Sequence, residues 1–407
     1  MQQRSNFKKS SNSKTDPTRK KHSGSFSKSR DPRRSGKKIS TLNPALLIKK
    51  ATQTEVVHYK SDRQFGDLPI SANLKECLYK KGFSRPTEIQ DKTLEALLEK
   101  RDLLGIAQTG TGKTGAFLIP IIEQLLHNKQ KSFAMIIVPT RELATQVEDE
   151  FKSMANGLGL FSACFIGGTN INRDLQALRR TTHVIIGTPG RLLDLTDRRA
   201  LDLSKINTLV LDEFDRMLDM GFVHDVKRIL SGMHQRKHTM LFSATMDKTQ
   251  EKIINTILQN PVTVKVSNGE STGDHIDQDI IRLAEGEDKF KVLHNMISKD
   301  DFEKVLLFEE TKHKAKKLCA QLNKVGILAD QIHGNKSQNA RQKALNAFKE
   351  GSIRVLVATD VAARGIDVLD VTHVINYQIP MTFDSYIHRI GRTGRAGKSG
   401  KAFTFVN

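Results

Sequence analysis

Gly110, Gly112, Lys113 and Thr114 lie between an apolar run, Leu103–Ala107, and a helical stretch, which is the arrangement that wraps a phosphate chain. In Gln108-Thr109-Gly110-Thr111-Gly112-Lys113-Thr114 the glycines free backbone amides to point at a β-phosphate. Lys113 can neutralise β and γ oxygens, and the Thr114 hydroxyl can ligate Mg²⁺. Ala107 stands where the strict pattern has Gly, and a purely structural turn would carry the same Gly-Lys-Thr run. Farther along, Leu209-Val210-Leu211 ends in Asp212-Glu213-Phe214-Asp215. Carboxylates leaving a buried strand are costly unless a cation meets them. Asp212 suits the Mg²⁺ shell, directly or through water, and Glu213 can orient and deprotonate an attacking water. Asp215 either belongs to this group or caps the helix carrying Met217, Leu218 and Phe222.

These residues need strands to position them. Short β-type runs at Leu103–Ala107, Ala134–Val138, Ala163–Ile166, His183–Gly187, Thr208–Leu211 and Thr239–Phe242 alternate with amphipathic stretches such as Leu143–Met154 and Val226–Met233. That alternation predicts a parallel sheet flanked by helices. The polar segment Ser267–Gln278 reads as a linker. Beyond it the pattern resumes with Lys304–Phe308, Ile327–Ile332, Arg354–Ala358, His373–Asn376 and Ala402–Val406. The expected fold class is therefore α/β, with two tandem domains over 61–266 and 280–407, a linker over 267–279, and a disordered basic tail over 1–60.

Composition supports that division. The 407 residues carry 65 Lys and Arg against 45 Asp and Glu, a net +20, and the 38% hydrophobic share suffices for real cores. Residues 1–40 hold thirteen of the basic residues, only Asp16 and Asp31 against them, and ten serines. Such a segment cannot bury enough surface to offset its ordering entropy, and it attracts polyanions by releasing their counterions. A solubilising tail without a partner has the same composition. No apolar run reaches the roughly 18 residues of a membrane span, and the start of the chain lacks a secretory apolar stretch. A cytoplasmic location is expected. Cys77, Cys164 and Cys319 are widely separated, so buried reduced thiols are expected over a disulfide framework or zinc site.

With these residues in view, the chain resembles the DEAD-box ATP-dependent RNA helicases, of bacterial type, over about residues 62–407. Gly82-Phe83-Ser84-Arg85-Pro86-Thr87-Glu88-Ile89-Gln90 is similar to the family's adenine-reading motif, with Phe65 at the position of its upstream aromatic. A carboxamide can pair with a donor and an acceptor on adenine while a phenyl face stacks on the ring, so Gln90 and Phe83 imply ATP. Gln90 on the surface of a helix N-terminus is the plainer alternative. Pro139-Thr140-Arg141-Glu142-Leu143-Ala144, Gly167-Gly168 and Thr188-Pro189-Gly190-Arg191 each follow an expected strand. Carboxyl ends of parallel strands are where such sheets bind ligands, so Pro139, Thr140, Arg141, Gly168, Thr188, Pro189 and Arg191 are RNA-track candidates. Ser243-Ala244-Thr245 resembles the hydroxyl pair that links the acidic motif to the interdomain cleft, together with Asp215 and His388; a local cap explains it too.

Val357–Asp367 and Tyr386–Arg395 match further family motifs nearly letter for letter. The resemblance implies two RecA-like domains, with Arg392 and Arg395 reaching the γ-phosphate from the second one. It also implies that Asp367 holds the ribose, and that Thr359, Arg364, Gln338 and Arg341 contact RNA phosphates; a surface-face reading has weight for Gln338 and Arg341. The cofactor set is then Thr109, Gly110, Thr111, Gly112, Lys113 and Thr114 with Phe65, Phe83, Gln90 and Asp367. The implied activity is ATP-driven closure of two domains on single-stranded RNA, which separates short duplexes locally and remodels RNA–protein complexes with little sequence preference. A monomer working in ribosomal or RNA-decay assemblies is expected. The chain departs from the family at Phe214, where the usual residue is Ala, at Glu88 and at Leu307-Phe308-Glu309-Glu310. The bulky Phe214 ring is expected where the site closes, with consequences for rate and coupling. The chain stops at Asn407, where a closing helix or a partner-binding extension is expected to be missing unless the sequence is a fragment.

Overall fold

Among the described residues thirteen short strands, almost all led into by a helix, form two separate sheets. The computed structural model describes residues 42–51, 59–108, 110–128, 133–266, 275–363, 371–394 and 399–406, which fall in one compact unit, Ser40–Asn407. The first sheet contains β1 Leu103–Ala107, β2 Ala134–Ile137, β3 Ser162–Phe165, β4 Val184–Gly187, β5 Thr208–Leu211, β6 His238–Ser243 and β7 Val262–Val266. The second contains β8 Ile276–Arg282, β9 Val305–Glu309, β10 Ala329–Ile332, β11 Val355–Thr359, β12 His373–Asn376 and β13 Gly400–Val406. Every pairing between these strands is parallel, in the orders β3-β4-β2-β5-β6-β1-β7 and β10-β11-β9-β12-β13-β8.

Central strands such as β2, β4, β5 and β11 are buried along their whole length, because helices cover both faces, and so they read as continuous Val, Ile and Leu runs. The helices Lys113–His127 and Arg141–Met154 contribute Phe117, Ile121, Val147 and Phe151 to the core on one face of the first sheet. Because β5, β6 and β1 are neighbours, the chain leaves their carboxyl ends side by side. Asp212, Ser243 and Gln108 thus share one edge.

Two expectations about segment boundaries change. The linker over 267–279 overlaps β8, which starts at Ile276 and pairs along its length with β13; residues 267–274 lie outside the described residues. β8 is an edge strand with Asp279 exposed, which is why it reads as polar linker. The tail over 1–60 also ends too late. Pro44–Leu47 is a 3₁₀ turn, and Leu47 is fully buried in the second-lobe core with Ile276 and Tyr386; residues 1–41 lie outside the described residues. The three cysteines are free thiols, Cys319 buried but Cys77 and Cys164 only half-buried.

Candidate functional site

The loop after β1 turns sharply at Gly110 and Gly112, with φ of 87° and 95°. A side chain at Gly112 would also collide, since its Cβ would sit 2.5 Å from Thr87 Oγ1. Both conformation and space therefore demand glycine here. Lys113, on the first turn of the following helix, is buried and donates from Nζ to the Ala107 carbonyl at 2.9 Å, so its charge sits at the mouth of the loop. Thr111 Oγ1 donates to the Gln108 carbonyl at 2.8 Å, and Thr114 is half-buried on the same first turn. Thr109 lies outside the described residues.

Gln90 is buried against this loop. Its Nε2 donates to the Gly112 carbonyl at 3.0 Å and its Oε1 accepts from Thr87 N at 3.0 Å, closing a capping box at the start of helix Glu88–Leu98. One N–H and one lone pair remain for a ligand. Phe83 is half-buried, with Phe65 stacked behind it at 5.9 Å between centroids. Phe65 itself belongs to the core, so it supports Phe83 rather than offering an open face of its own.

At the end of β5, Asp212 and Glu213 are both buried. Burial pushes the Asp212 carboxyl up to about 6, against the pull of Lys113 and with Glu213 adding to the rise. Burial works against Glu213 as well, yet Arg216, Lys113 and Arg392 outweigh it and hold that carboxyl below its ordinary range. Arg216 Nη1 donates to Glu213 Oε2 at 3.0 Å. Glu213 sits in the left-handed region, φ 54°, where the strand breaks into the next helix. Asp215 does not cap that helix from its start. Its Oδ2 accepts from Ala244 N, Thr245 N and Thr245 Oγ1 at 3.1–3.2 Å, and Ser243 Oγ donates to the Thr245 carbonyl at 2.6 Å. The acidic segment and the loop after β6 are thereby one unit.

Phe214 departs from expectation. Its ring is 1% exposed and packs in the core with Leu211, Met217 and Leu241. Phe214→Ala should therefore lower the unfolding free energy by about 3–5 kcal/mol through cavity formation. The turnover of the folded protein should stay near wild type, as read by urea unfolding and ATPase on the same sample.

The second lobe brings its own charges to this edge. Arg392 is buried, its Nε donates to the His388 carbonyl at 3.4 Å, and its positive charge acts on Glu213. His388 is held below its ordinary range first by burial and then by Arg216, with Asp215 pulling the other way. Arg216, Phe308, Asp360, His388, Arg389 and Arg392 line one small cavity between the lobes. Arg389 is fixed there by Asp360, at 2.6 and 2.8 Å, and by the Gln378 carbonyl at 2.8 Å.

The remaining strand ends form a second cluster. Thr140 caps helix Arg141–Met154, its Oγ1 accepting from Leu143 N at 3.3 Å. The Arg141 guanidinium lies over the Gly167-Gly168 turn, where a Gly168 Cβ would meet Nη1 at 2.5 Å. Thr188 and Pro189 begin the helix after β4, with Thr188 making no side-chain cap. Arg191 is buried, donating to Asp174 Oδ2 and to the Thr169 carbonyl, both at 2.8 Å. These two bonds let it brace the Gly168 turn and leave three of its five N–H donors outside them. Gln338 and Arg341 reach across from the second lobe onto Glu142 Oε1, at 3.3 and 2.8 Å. Thr359 is buried at the end of β11. Arg141 is lowered by burial and by the nearby Arg341 and Arg191. Arg364, Asp367 and Arg395 lie outside the described residues.

Sequence reasoning passed over Glu142, Asp174 and Arg216, each a buried partner of a residue it selected, and Arg389, which is fixed by Asp360 and Gln378. Glu142 was the one open to detection, as a carboxylate placed next to Arg141 at a helix start. Among the described residues no three His, Cys, Asp or Glu gather as a metal cluster.

Two tandem parallel sheets, with a phosphate-type loop on one and buried arginines from the other meeting its acidic strand, define a two-lobed nucleotide-dependent machine. Family models agree: DEAD/DEAH box helicase matches residues 87–253, and helicase conserved C-terminal domain matches 288–397. The chain is 43% identical over 343 residues to the DEAD-box ATP-dependent RNA helicase CshA of Streptococcus pneumoniae, covering 84% of this chain and 65% of that protein. It is 43% identical over 342 residues to CshA of Bacillus licheniformis, covering 84% and 70%. The chain thus spans just under two thirds of the length of the first of these relatives. Its structure is similar to that of S. cerevisiae Dbp5 bound to RNA and ADP BeF3, with a TM-score of 0.75 and 31% identity over 84% of this chain and 89% of that one. The chain belongs to the DEAD-box ATP-dependent RNA helicase family, and its lobes are RecA-like.

Proposed function

We propose that this chain is an RNA-dependent ATPase that remodels short RNA duplexes by closing its two lobes on ATP and single-stranded RNA. The carrying observation is that Arg392, from the second lobe, lines one cavity with Arg216, the 3.0 Å partner of the buried Glu213 of the first. Phosphate chemistry at the first lobe's edge is completed only by a charge the other lobe supplies.

In this reading Gly110, Thr111 and Gly112 hold the phosphates, Lys113 leaves the Ala107 carbonyl to neutralise them, and Phe83 with the free valences of Gln90 reads adenine. Thr109, Asp367 and Arg395 complete the set as the family resemblance implies. Glu213, kept ionised by Arg216, accepts a hydrogen bond from the attacking water and then its proton. Asp212 and Thr114 fit Mg²⁺: a single carboxylate raised to about 6 by burial has more negative charge than its surroundings welcome, and hard oxygen donors suit that ion. Bound there, Mg²⁺ would neutralise charge on the phosphates. Asp215, Ser243, Thr245 and His388 couple the acidic segment to the facing lobe.

RNA lies along Pro139, Thr140, Arg141, Gly168, Thr188, Pro189 and Arg191 of the first lobe and along Gln338, Arg341, Thr359 and Arg364 of the second. Glu142 then serves as the counter-ion that holds Arg341 in place, and Arg191 as the brace of the Gly168 turn. Contacts of this type read backbone rather than base, so sequence preference is slight. Among the described residues no helix is long and apolar enough to cross a membrane. We place the protein in the cytoplasm as a monomer serving ribosomal or RNA-decay assemblies.

Steady-state ATPase with single-stranded RNA, with DNA of the same sequence and with no polymer tests the reading. RNA should stimulate turnover at least about tenfold over DNA, as 2′-hydroxyl recognition requires. Equal rates in all three conditions would remove RNA from the mechanism.

A further inference from the structure

The segment before the first lobe is attached to the second. Asn43 Oδ1 accepts from Ala45 N at 3.0 Å, and Pro44–Leu47 forms a 3₁₀ turn that drives Leu47 into the second-lobe core. The chain then adds to the exposed edge of the second sheet. Lys49 N donates to the Gln278 carbonyl at 3.0 Å, Gln278 N donates to the Lys49 carbonyl at 2.7 Å, and Ala51 N donates to Asp277 Oδ1 at 3.0 Å. Tyr386 locks the join, its hydroxyl donating to Gln278 Oε1 at 3.0 Å and lying 3.4 Å from the Leu47 carbonyl. This is strand addition to an edge, with backbone hydrogen bonds and one apolar anchor.

The same stretch of chain is pinned to the first lobe a few residues later. Asp91 accepts from Tyr59 Oη, from Ser61 Oγ at 2.6 Å and from Arg63 Nε at 2.8 Å, and Arg63 Nη2 also reaches the Asp91 carbonyl. Asp91 directly follows Gln90, so this anchor lies beside the residue that faces the phosphate loop. Seven residues separate Ala51 from Tyr59. At about 3.3–3.6 Å per residue, those eight steps reach at most about 29 Å.

We propose that residues 42–51 are a docked strap that ties the second lobe to the Asp91 side of the nucleotide site and restricts how far the lobes can separate. The inference rests on the closure mechanism above. While the strap is docked the lobes are joined twice, once through it and once through the segment after β7. The second join removes the widest open arrangements, and closure loses less freedom as a result. ATP and RNA then spend less of their binding free energy on bringing the lobes together.

The test uses the full chain with one dye on each lobe, read by single-molecule energy transfer without nucleotide or RNA. Two variants release the strap: Leu47→Asp expels the apolar anchor, and Lys49→Pro removes the N–H that bonds Gln278 while touching no core group. Leu46→Asp, at a 60% exposed neighbour, is the control. Both release variants should broaden the interlobe distances toward longer values. They should also weaken RNA binding in the presence of a non-hydrolysable ATP analogue about threefold to tenfold, as expected for loss of an intramolecular tether. Binding of the analogue without RNA should stay at the wild-type level. Unchanged distances in Lys49→Pro, or an unchanged RNA affinity in both release variants, would overturn the strap. Broadened distances in a protein that RNA fails to stimulate would instead retain the strap and sink the activity assigned above.

Discussion

Arg392→Ala should lower RNA-stimulated kcat by about 10³-fold or more, the effect of removing an arginine that meets the charge of a phosphoryl transition state. Arg392 follows the second-lobe helix Phe383–Ile390, is buried, and lines one cavity with Arg216, which bonds Glu213 at 3.0 Å; its charge helps hold that carboxyl low. In the proposed mechanism its charge is delivered to the acidic strand by lobe closure, whereas ATP binds to the first lobe alone. Loss of the guanidinium should therefore fall on kcat and leave ATP affinity in the absence of RNA within about twofold, the pattern of an interaction made only in the transition state. Arg392→Lys should recover only part of the loss, because a point charge replaces a planar fork. Steady-state ATPase together with fluorescent-nucleotide binding measures both quantities. A loss below tenfold in Arg392→Ala would assign the transition-state charge to another residue.

The second large effect is expected at Glu213. Glu213→Gln keeps the shape and removes the carboxylate, so hydrolysis should fall by about 10²–10⁴-fold, the range of a lost general base. ATP-dependent RNA binding should survive, since in the proposed mechanism closure is driven by binding and precedes hydrolysis. A long-lived ternary complex in a filter-binding or anisotropy assay is the expected signature. The substitution also leaves Arg216 without its counter-ion at 3.0 Å, in a buried setting where a lone charge is costly. A urea titration alongside separates that stability loss from the chemical one, because only the chemical loss leaves RNA binding intact. Equal turnover by wild type and variant would show that Glu213 is not the base.

Much of this was readable in order along the chain. Central strands announce themselves because covered parallel strands must be apolar throughout: Leu103–Ala107, Thr208–Leu211 and His373–Asn376 are found at the residues where the runs lie. Glycines of the phosphate-type loop are legible for a similar reason, as Gly110 and Gly112 occupy backbone angles other residues avoid. The edge strands were harder. Val262–Val266 alternates polar and apolar, and Ile276–Arg282 carries Asp277 and Asp279, so neither reads as a buried run. Phe214 misled for the opposite reason: its neighbours along the chain line the cleft, but the αL turn at Glu213 leads into a helix that carries the ring into the core.

What the sequence by itself determined is the chemistry available and the strand ends that carry it, because residue type and local periodicity are properties of short stretches. Which groups remain open to a ligand was decided only by the tertiary structure. Gln338 meets Glu142 across 196 residues of chain, Arg191 pairs with Asp174, Gln90 is shared with Gly112, and Leu47, ahead of the first lobe in the chain, anchors on the second. Each pairing depends on two distant segments arriving at one place, and a hydrogen bond or ion pair acts over a few ångströms of space whatever the separation along the chain.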